Sequence, residues 1–428
     1  MLMKLQYVCL IGSIGLVGDR IDLFAGHGPF TLTLFLVLAP AFVLIRFLRS
    51  DPAEMFAFRI TAAVRRQLPF LAAAGLFVFL ALVSVAMSLD PARSAVAFAD
   101  LMIVSFLGYC IARQVLEEPE RGKLVLRAVT FALIVYAAFC VGELIAWGHG
   151  MAMQEGKPGS WVELTFAPQL SEFYVPRPSG ATVDPNRAGF VLMMYLILLD
   201  QFVAKSRYTR ALSVAIAVFI LLTMSRSAIL CWVVYYAGSR AFWRRLLSRR
   251  TLLWLAAGVA ACALVAVAYQ KEVETLLEVY EISDALSARL SVNEAGSGQN
   301  HILLIQRGIE TWSSSAKNMV AGIGLASAPK VLYDFFGDNK QGNFHCLYVT
   351  VLAEIGLPAF LVLLFLFGYP IAYRKGAAAG MLVFIVFNIS YQSHMEPLFW
   401  IVLPILWSCE VGERKKVSML VLRDAIAT

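Results

Sequence analysis

The sequence predicts an all-α fold: a polytopic membrane bundle of about twelve transmembrane helices, both termini cytoplasmic, with one large loop on the outer side. Three observations carry that expectation. Apolar residues fill 60% of the 428 positions and charged residues only 15%, whereas soluble domains run at roughly 45–50% apolar and about 25% charged. Apolar runs of roughly 20 residues, the length that crosses a bilayer core as a helix, recur along the chain. The basic clusters between them fall on one side of the resulting topology, as cytoplasmic loops require.

Taken in order, the runs cover 3–18, 29–48, 68–88, 94–113, 124–147, 186–204, 211–224, 227–239, 252–270, 343–369, 377–392 and 397–412. Residues 1–18 lack a small-residue cleavage site after their apolar stretch, so they read as a retained first span rather than a signal peptide. Arg46, Arg49, Arg59, Arg65 and Arg66 follow the second run, and Arg113, Arg121 and Lys123 the fourth. Lys205, Arg207 and Arg210 follow the sixth, and Arg240, Arg244, Arg245, Arg249 and Arg250 the eighth. Arg374 and Lys375 follow the tenth, and Arg414, Lys415 and Lys416 the last. With the N-terminus inside, all of them face the cytoplasm. Residues 52–66 (PAEMFAFRITAAVRR) read as a short basic amphipathic helix on that same surface.

Two outward segments are long. Residues 148–185 contain WVELTFAPQLSEFYV, an amphipathic stretch expected on the membrane surface, followed by PRPSGATVDPNRAG. Residues 271–342 form the largest soluble piece, with a helix at KEVETLLEVYEISDAL and another at HILLIQRGIETW. A segment of that size cannot bury a large core of its own, so it is expected to pack on the membrane helices as a lid or side wall. The chain thus divides into membrane helices over 1–270, the outward loop 271–342, and C-terminal helices with a cytoplasmic tail over 343–428.

The net charge of +7 resides in short loops, where it sets topology and meets anionic lipid, so it is no sign of a nucleic-acid partner. The seven cysteines are scattered without a CxxC pair, and the five histidines show no HExxH spacing. A disulfide framework, a metal site and a GxxxxGK[ST] phosphate loop are therefore not expected, and no cofactor is called for.

The chemistry gathers around TMSRSAIL, residues 223–230. It sits in an apolar run from Ala211 to Gly238 whose only charge is Arg226, with basic clusters beyond both ends. One span cannot have both ends on the cytoplasmic side, so the run is expected to be a hairpin of two short helices meeting at Ser225-Arg226-Ser227. Arms of about 14 residues reach roughly 21 Å, short of the hydrocarbon core of roughly 30 Å. Arg226 would then lie in a recess open to the outside, suited to an anion. A charge at membrane depth costs roughly 2.5–3.5 kcal/mol on insertion scales, which argues for a functional partner.

Three further features face the same side. Arg177 and the turn Asp184-Pro185-Asn186 precede the sixth run, Arg307 lies in RGIETW before the glycine turn at 322–324, and His345 opens the tenth run in NFHCLYVTVLAEIGLPAF. Three arginines suit a diphosphate, and a histidine is the usual base for a hydroxyl. Arg177 and Arg307 read equally well as solvated loop charges, and His345 as an interfacial helix-start residue. His394, in YQSHMEP, shares that ambiguity. Glu354, nine residues after His345, faces the opposite side of a helix and reads as a buried structural partner.

RPSGATVDPNRAG, TMSRSAIL, RGIETW with GIG, and NFHCLYVTVLAEIGLPAF together resemble, in that order, the motifs of the O-antigen ligase/polymerase superfamily. The resemblance covers roughly residues 170–370. It implies a metal-independent membrane glycosyltransferase, multi-pass in the bacterial inner membrane, with its active site facing the periplasm. Its donor would be a glycan on undecaprenyl diphosphate. A ligase passes that glycan to a sugar of lipid A-core, whereas a polymerase extends an O-antigen or exopolysaccharide chain, with envelope polysaccharide assembly proteins as partners. By the same resemblance Arg177, Arg226 and Arg307 would bind the diphosphate, with Arg226 and His345 in the catalytic set and Asn186 shaping the pocket. One departure stands out: the family commonly has Asn after the histidine, and here Cys346 stands there. Other readings are a transporter or flippase for a lipid-linked or anionic solute, and a membrane scaffold. A transporter often shows inverted repeats, none of which is evident, and a scaffold leaves Arg226 unexplained.

Overall fold

The computed structural model describes residues 2–18, 33–49, 62–148, 165–166, 176–182, 184–238, 297–336, 342–374 and 376–408. The ninth run, residues 52–61, the helix expected at 271–286 and the C-terminal tail lie outside them. The described residues are mostly helical, and among them three helices are long and apolar enough to cross a membrane: Gln67–Ala86, Pro91–Glu117 and Arg121–Ile145.

The first half consists of α1 (Leu2–Gly15), α2 (Leu34–Arg49), α3 (Ala62–Ala86), α4 (Pro91–Glu117) and α5 (Arg121–Gly148). Asp90 caps α4 by accepting from the Arg93 amide, with Pro91 at its first position, where a missing N–H costs nothing. Leu76, Phe79, Phe106 and Ile134 stay exposed along these helices, as expected of surfaces that meet lipid rather than water.

One feature departs from an all-α chain. Thr165–Phe166 (β1) pairs antiparallel with Pro176–Arg177 (β2), with Thr165 opposite Arg177. Of the stretch expected to lie amphipathically on the surface, Thr165 and Phe166 are described, and both are in this pair.

The centre is α6 (Pro185–Phe202), buried from Ala188 through Leu199. A helix apolar all round belongs inside a bundle. Beside it run α7 (Arg207–Leu222) and α8 (Arg226–Ala237). Their 16 and 12 residues extend roughly 24 and 18 Å, each shorter than a bilayer core. The break between them falls at 223–225, with Met224 at φ +50°. The apolar run is therefore a helical hairpin whose tip carries Ser225 and Arg226.

Of the segment 271–342, expected to be an outward loop, α9 (Ser297–Ser313), α10 (Ala316–Ala321) and α11 (Ala328–Phe336) are described. They dock on the bundle, in keeping with a side wall. The Leu89 amide donates to the Ile323 carbonyl, Ser94 donates to the Leu325 carbonyl, and Lys330 donates to the Leu89 carbonyl. Glu354, fully buried, accepts from the amides of Ala326 and Ala328 at 2.9 and 3.0 Å. It is the structural partner its helical offset suggested.

Two spans are shorter than expected. The run 343–369 splits into α12 (Leu347–Glu354) and α13 (Leu357–Tyr373) at Gly356, whose φ of +101° no helix can carry through. A Cβ at Gly356 would stand 2.1 Å from the Val320 carbonyl oxygen, so the bare backbone is what admits the end of α10. The run 377–392 stops after α14 (Ala378–Phe387), because Asn388 accepts from both the amide and the hydroxyl of Ser393 and closes a loop over 388–396. The last helix, α15 (Pro397–Ser408), is buried from Pro397 through Trp407. Trp400 lies against Gly108, where a Cβ would be 2.7 Å from its own, and Trp407 stacks on Tyr369 at 4.5 Å. Within lipid such close packing, rather than exclusion of water, holds helices together.

Candidate active site

The loop 388–396 is the hub on which three helix N-termini meet. The amide of Leu347, first residue of α12, donates to the carbonyls of Asn388 and Tyr391, and Thr350 donates to Gln392. The Ser227 hydroxyl at the start of α8 lies within hydrogen-bond distance of the Ser390 hydroxyl. From the start of α6, Arg187 donates to Glu396 through Nε at 3.0 Å and Nη2 at 2.9 Å, and Tyr391 donates to the other carboxylate oxygen at 2.7 Å. The first turns of α6 and α8 are also joined directly, Ser225 Oγ donating to Asn186 Oδ1 at 2.9 Å. Asn186 therefore fixes the hairpin tip against the PN turn. Gly189 permits that approach, since a Cβ there would sit 2.5 Å from Ala228 Cβ.

Arg177 reaches the same tip from β2, its Nε donating to the Thr223 carbonyl at 3.0 Å. The loop after it is pinned by Glu143 of α5, a buried carboxylate that accepts from the Ser179 amide and hydroxyl and from the Gly180 amide. Gly180 needs its φ of +60° and its missing side chain, because a Cβ would lie 2.2 Å from the Tyr136 ring.

Arg226 opens α8 beside the Ser225 cap, where its cation adds to the positive end of the helix. It acts electrostatically on His301 of α9, and the His301 ring packs edge-to-face on His345, centroids 4.8 Å apart. His345 precedes α12, outside the spanning helices, and holds φ +53°, with its amide bonded to Asn343 Oδ1 at 2.7 Å. That left-handed backbone costs about 1–2 kcal/mol for a residue with a Cβ; such strain gathers at functional positions. Burial, then the charge of Arg226, holds His301 below the ordinary histidine range. Burial, then His301, pushes His345 down to about 4. Both rings are neutral near pH 7, and a neutral imidazole can accept a proton.

Arg226, Arg177, Asn186 and His345 are thus drawn around one tip and one loop. Arg307 is engaged elsewhere, bonded to Glu310 at 3.1 Å and lying 5.1 Å over the Phe335 ring. His394 is buried within the hub loop itself, with its carbonyl accepting from Trp400 and no hydrogen bond to Nδ1. Cys346 stands at the N-cap of α12 without a cap hydrogen bond. No group of three or more His, Cys, Asp or Glu that could hold a metal occurs among the described residues.

Sequence reasoning passed over four of these residues. His301, Leu304, Ile305 and Gly308 share one face of α9 at helical spacing, so the histidine could have been placed on the packed side. Arg187 stood inside the quoted turn motif, and Glu143 is a lone carboxylate in an apolar run, itself a functional flag. Glu396 had no such signal.

Residues 211–364 match the O-antigen ligase family. The matched segment is similar to the domain that defines that family, and it covers less than half of the chain. It contains Arg226, His301, Arg307 and His345, while Arg177 and Asn186 lie before it. No curated protein and no solved structure matches the chain. The match and the apolar helices together suggest a membrane protein of polysaccharide biosynthesis with an activity of the O-antigen ligase or polymerase type.

Proposed function

We propose that this protein is a glycosyltransferase of the bacterial inner membrane, working at the periplasmic face. It transfers a glycan from undecaprenyl diphosphate to an acceptor sugar, either on lipid A-core or on the next repeat of a growing polysaccharide. The observation that carries this reading is the chain Arg226–His301–His345, which sets a cation at a helix N-terminus beside a neutral histidine.

In the proposed reaction His345 takes the proton of the acceptor hydroxyl while its oxygen attacks the anomeric carbon of the donor sugar. The bond from that carbon to the diphosphate oxygen breaks, and the lipid diphosphate leaves with the electron pair. Arg226, supported by Arg177, stabilises the charge that develops, and cations already in place do so without reorganising. Asn186 keeps the hairpin tip in place through Ser225. Arg307, bound to Glu310 in this structure, would join Arg226 and Arg177 as a further ligand of the diphosphate. No step calls for a metal or a cofactor.

The test is the envelope polysaccharide of a deletion strain complemented with wild type, Arg226→Ala or His345→Ala at matched membrane levels. Both variants are expected to leave long glycan absent and undecaprenyl-linked material accumulated. Full chains in that material indicate a ligase, and single repeats a polymerase. Full complementation by both variants would overturn the site.

A further inference from the structure

Because α9 seats on α12 through the face that carries His301, the outward loop reaches into the site itself. Leu304 is buried in a cluster with Phe344 and Val349, and a Cβ at Gly308 would lie 2.2 Å from Val349 Cγ1 and 3.2 Å from the Phe344 ring. That contact fixes the height of α9 over α12. His301, two turns before Gly308 on the same face, is thereby delivered onto the His345 ring at 4.8 Å with an interplanar angle of 61°. His345 itself hangs on a strained left-handed backbone just ahead of its helix, so its ring needs an external stop. Arg226 is near enough to His301 to act on it electrostatically. His301 is therefore within reach of both the base assigned to the acceptor hydroxyl, by ring contact, and the cation assigned to the leaving diphosphate, by its field.

We propose that His301 is a positioning residue for the transfer: its ring packs against His345 and holds that imidazole in the orientation that receives the acceptor proton. This role rests on the transfer reading above. The base must lie within hydrogen-bond reach of its proton, and misplacement by about 1 Å can cost up to about a hundredfold in rate. The contact is one of ring on ring, so an aromatic without nitrogens should preserve much of it, whereas loss of the ring should not.

The experiment uses the full-length protein in detergent or nanodiscs, as wild type, His301→Ala, His301→Phe and His345→Ala. Transfer from a polyprenyl-diphosphate-linked glycan is followed for kcat and donor KM. Separately, acylation of His345 by diethyl pyrocarbonate is followed by peptide mass spectrometry. His301→Ala is expected to lower kcat roughly ten- to a hundredfold with donor KM unchanged, and to speed His345 acylation severalfold. His301→Phe is expected to recover most of the kcat. Unchanged kcat and unchanged acylation in His301→Ala would overturn the proposal while leaving the transfer reading intact. Phe as slow as Ala would overturn it too, by making the nitrogens rather than the ring the active part. A wild-type protein that shows no transfer, or a His345→Ala variant as fast as wild type, would sink the transfer reading and the catalytic role with it. The acylation result separates those cases, because it reports the His301–His345 contact without any turnover. A loop-level control completes the set: Gly308→Ala should lower kcat by pushing α9 off Val349, and Gly308→Ala with Val349→Ala should restore it. Failure of that rescue would count against the seating of His301 by α9.

Discussion

At the scale of single residues, the depressed basicity of His345 fixes how the proposed transfer should respond to pH. An ordinary histidine protonates near 6.5, whereas burial and His301 push this one down to about 4. The base-competent neutral form thus persists as pH falls below 6.5 and is lost only towards 4. The acid limb of kcat is expected well below pH 6, measured by initial rates from pH 5 to 8 on purified protein; a limb at 6.5 or above would contradict the burial. Stability follows the same sign. The unfolded chain takes up its proton first, so folding loses stability as pH falls from about 6.5 towards 4, and keeps it above 6.5. Cys346 gives a second residue-level expectation. It occupies the N-cap of α12, where its thiol faces the first-turn amides of Tyr348 and Val349 but accepts from them only weakly. Cys346→Asn, which puts a stronger acceptor there, should stabilise the protein by about 0.5–1 kcal/mol, read as a raised Tm in detergent.

At the scale of elements, the breaks matter more than the helices. Hydropathy marks the apolar helices among the described residues, because in lipid every backbone group must be satisfied within its own segment and long apolar runs have few alternatives. The hairpin break at 223–225 was legible for the same reason: basic clusters beyond both ends left no single-span solution. The split at Gly356 was not legible, since its cause is the approach of α10, a contact from a segment distant in sequence. Nor was the hub loop at 388–396, whose polar residues are satisfied by α6, α8 and α12 rather than by neighbours in sequence. His301 was hidden for a related reason, because its partner lies on another element. Glu354 shows how strongly such tertiary bonds tie the elements. Its carboxylate satisfies two amides in the turn between α10 and α11, and orphaning a buried amide costs about 1–3 kcal/mol. Glu354→Ala should loosen that turn, which then keeps only the backbone bonds from the Ile323 and Gly324 amides to the Ala353 and Glu354 carbonyls, so that limited proteolysis cuts within 316–330 faster than in wild type. Equal cleavage rates would mean that those bonds and the contacts of Leu89, Ser94 and Lys330 suffice.

At the scale of the whole molecule, one ion pair joins the two parts of the chain that build the site. Arg187 and Glu396 are far apart in sequence, and their side chains are 19% and 10% exposed. Tyr391 takes up the second carboxylate oxygen, so the pair is bonded on both sides. Desolvating two charges is costly, and a buried pair earns little net stability over an apolar pair of the same volume. Removing one partner is different: the other loses its bonded counter-charge, which for a fully buried pair typically costs about 3–5 kcal/mol, and Asp100 beside Arg187 offsets part of that here. Glu396→Ala should therefore lower the Tm in detergent substantially, whereas Arg187→Met with Glu396→Leu should recover most of it. Stability and transfer are expected to part company in that double variant. The apolar pair can hold α6 against the hub loop, but it cannot donate from α6 to a carboxylate that also fixes Tyr391, whose carbonyl receives the first amide of α12. The start of α12, with His345 just before it, then loses part of its mooring. A double variant that regains wild-type Tm but transfers severalfold more slowly would show that the pair is kept for the alignment of His345 with Arg226. Full recovery of both would reduce it to a staple between the two halves of the bundle.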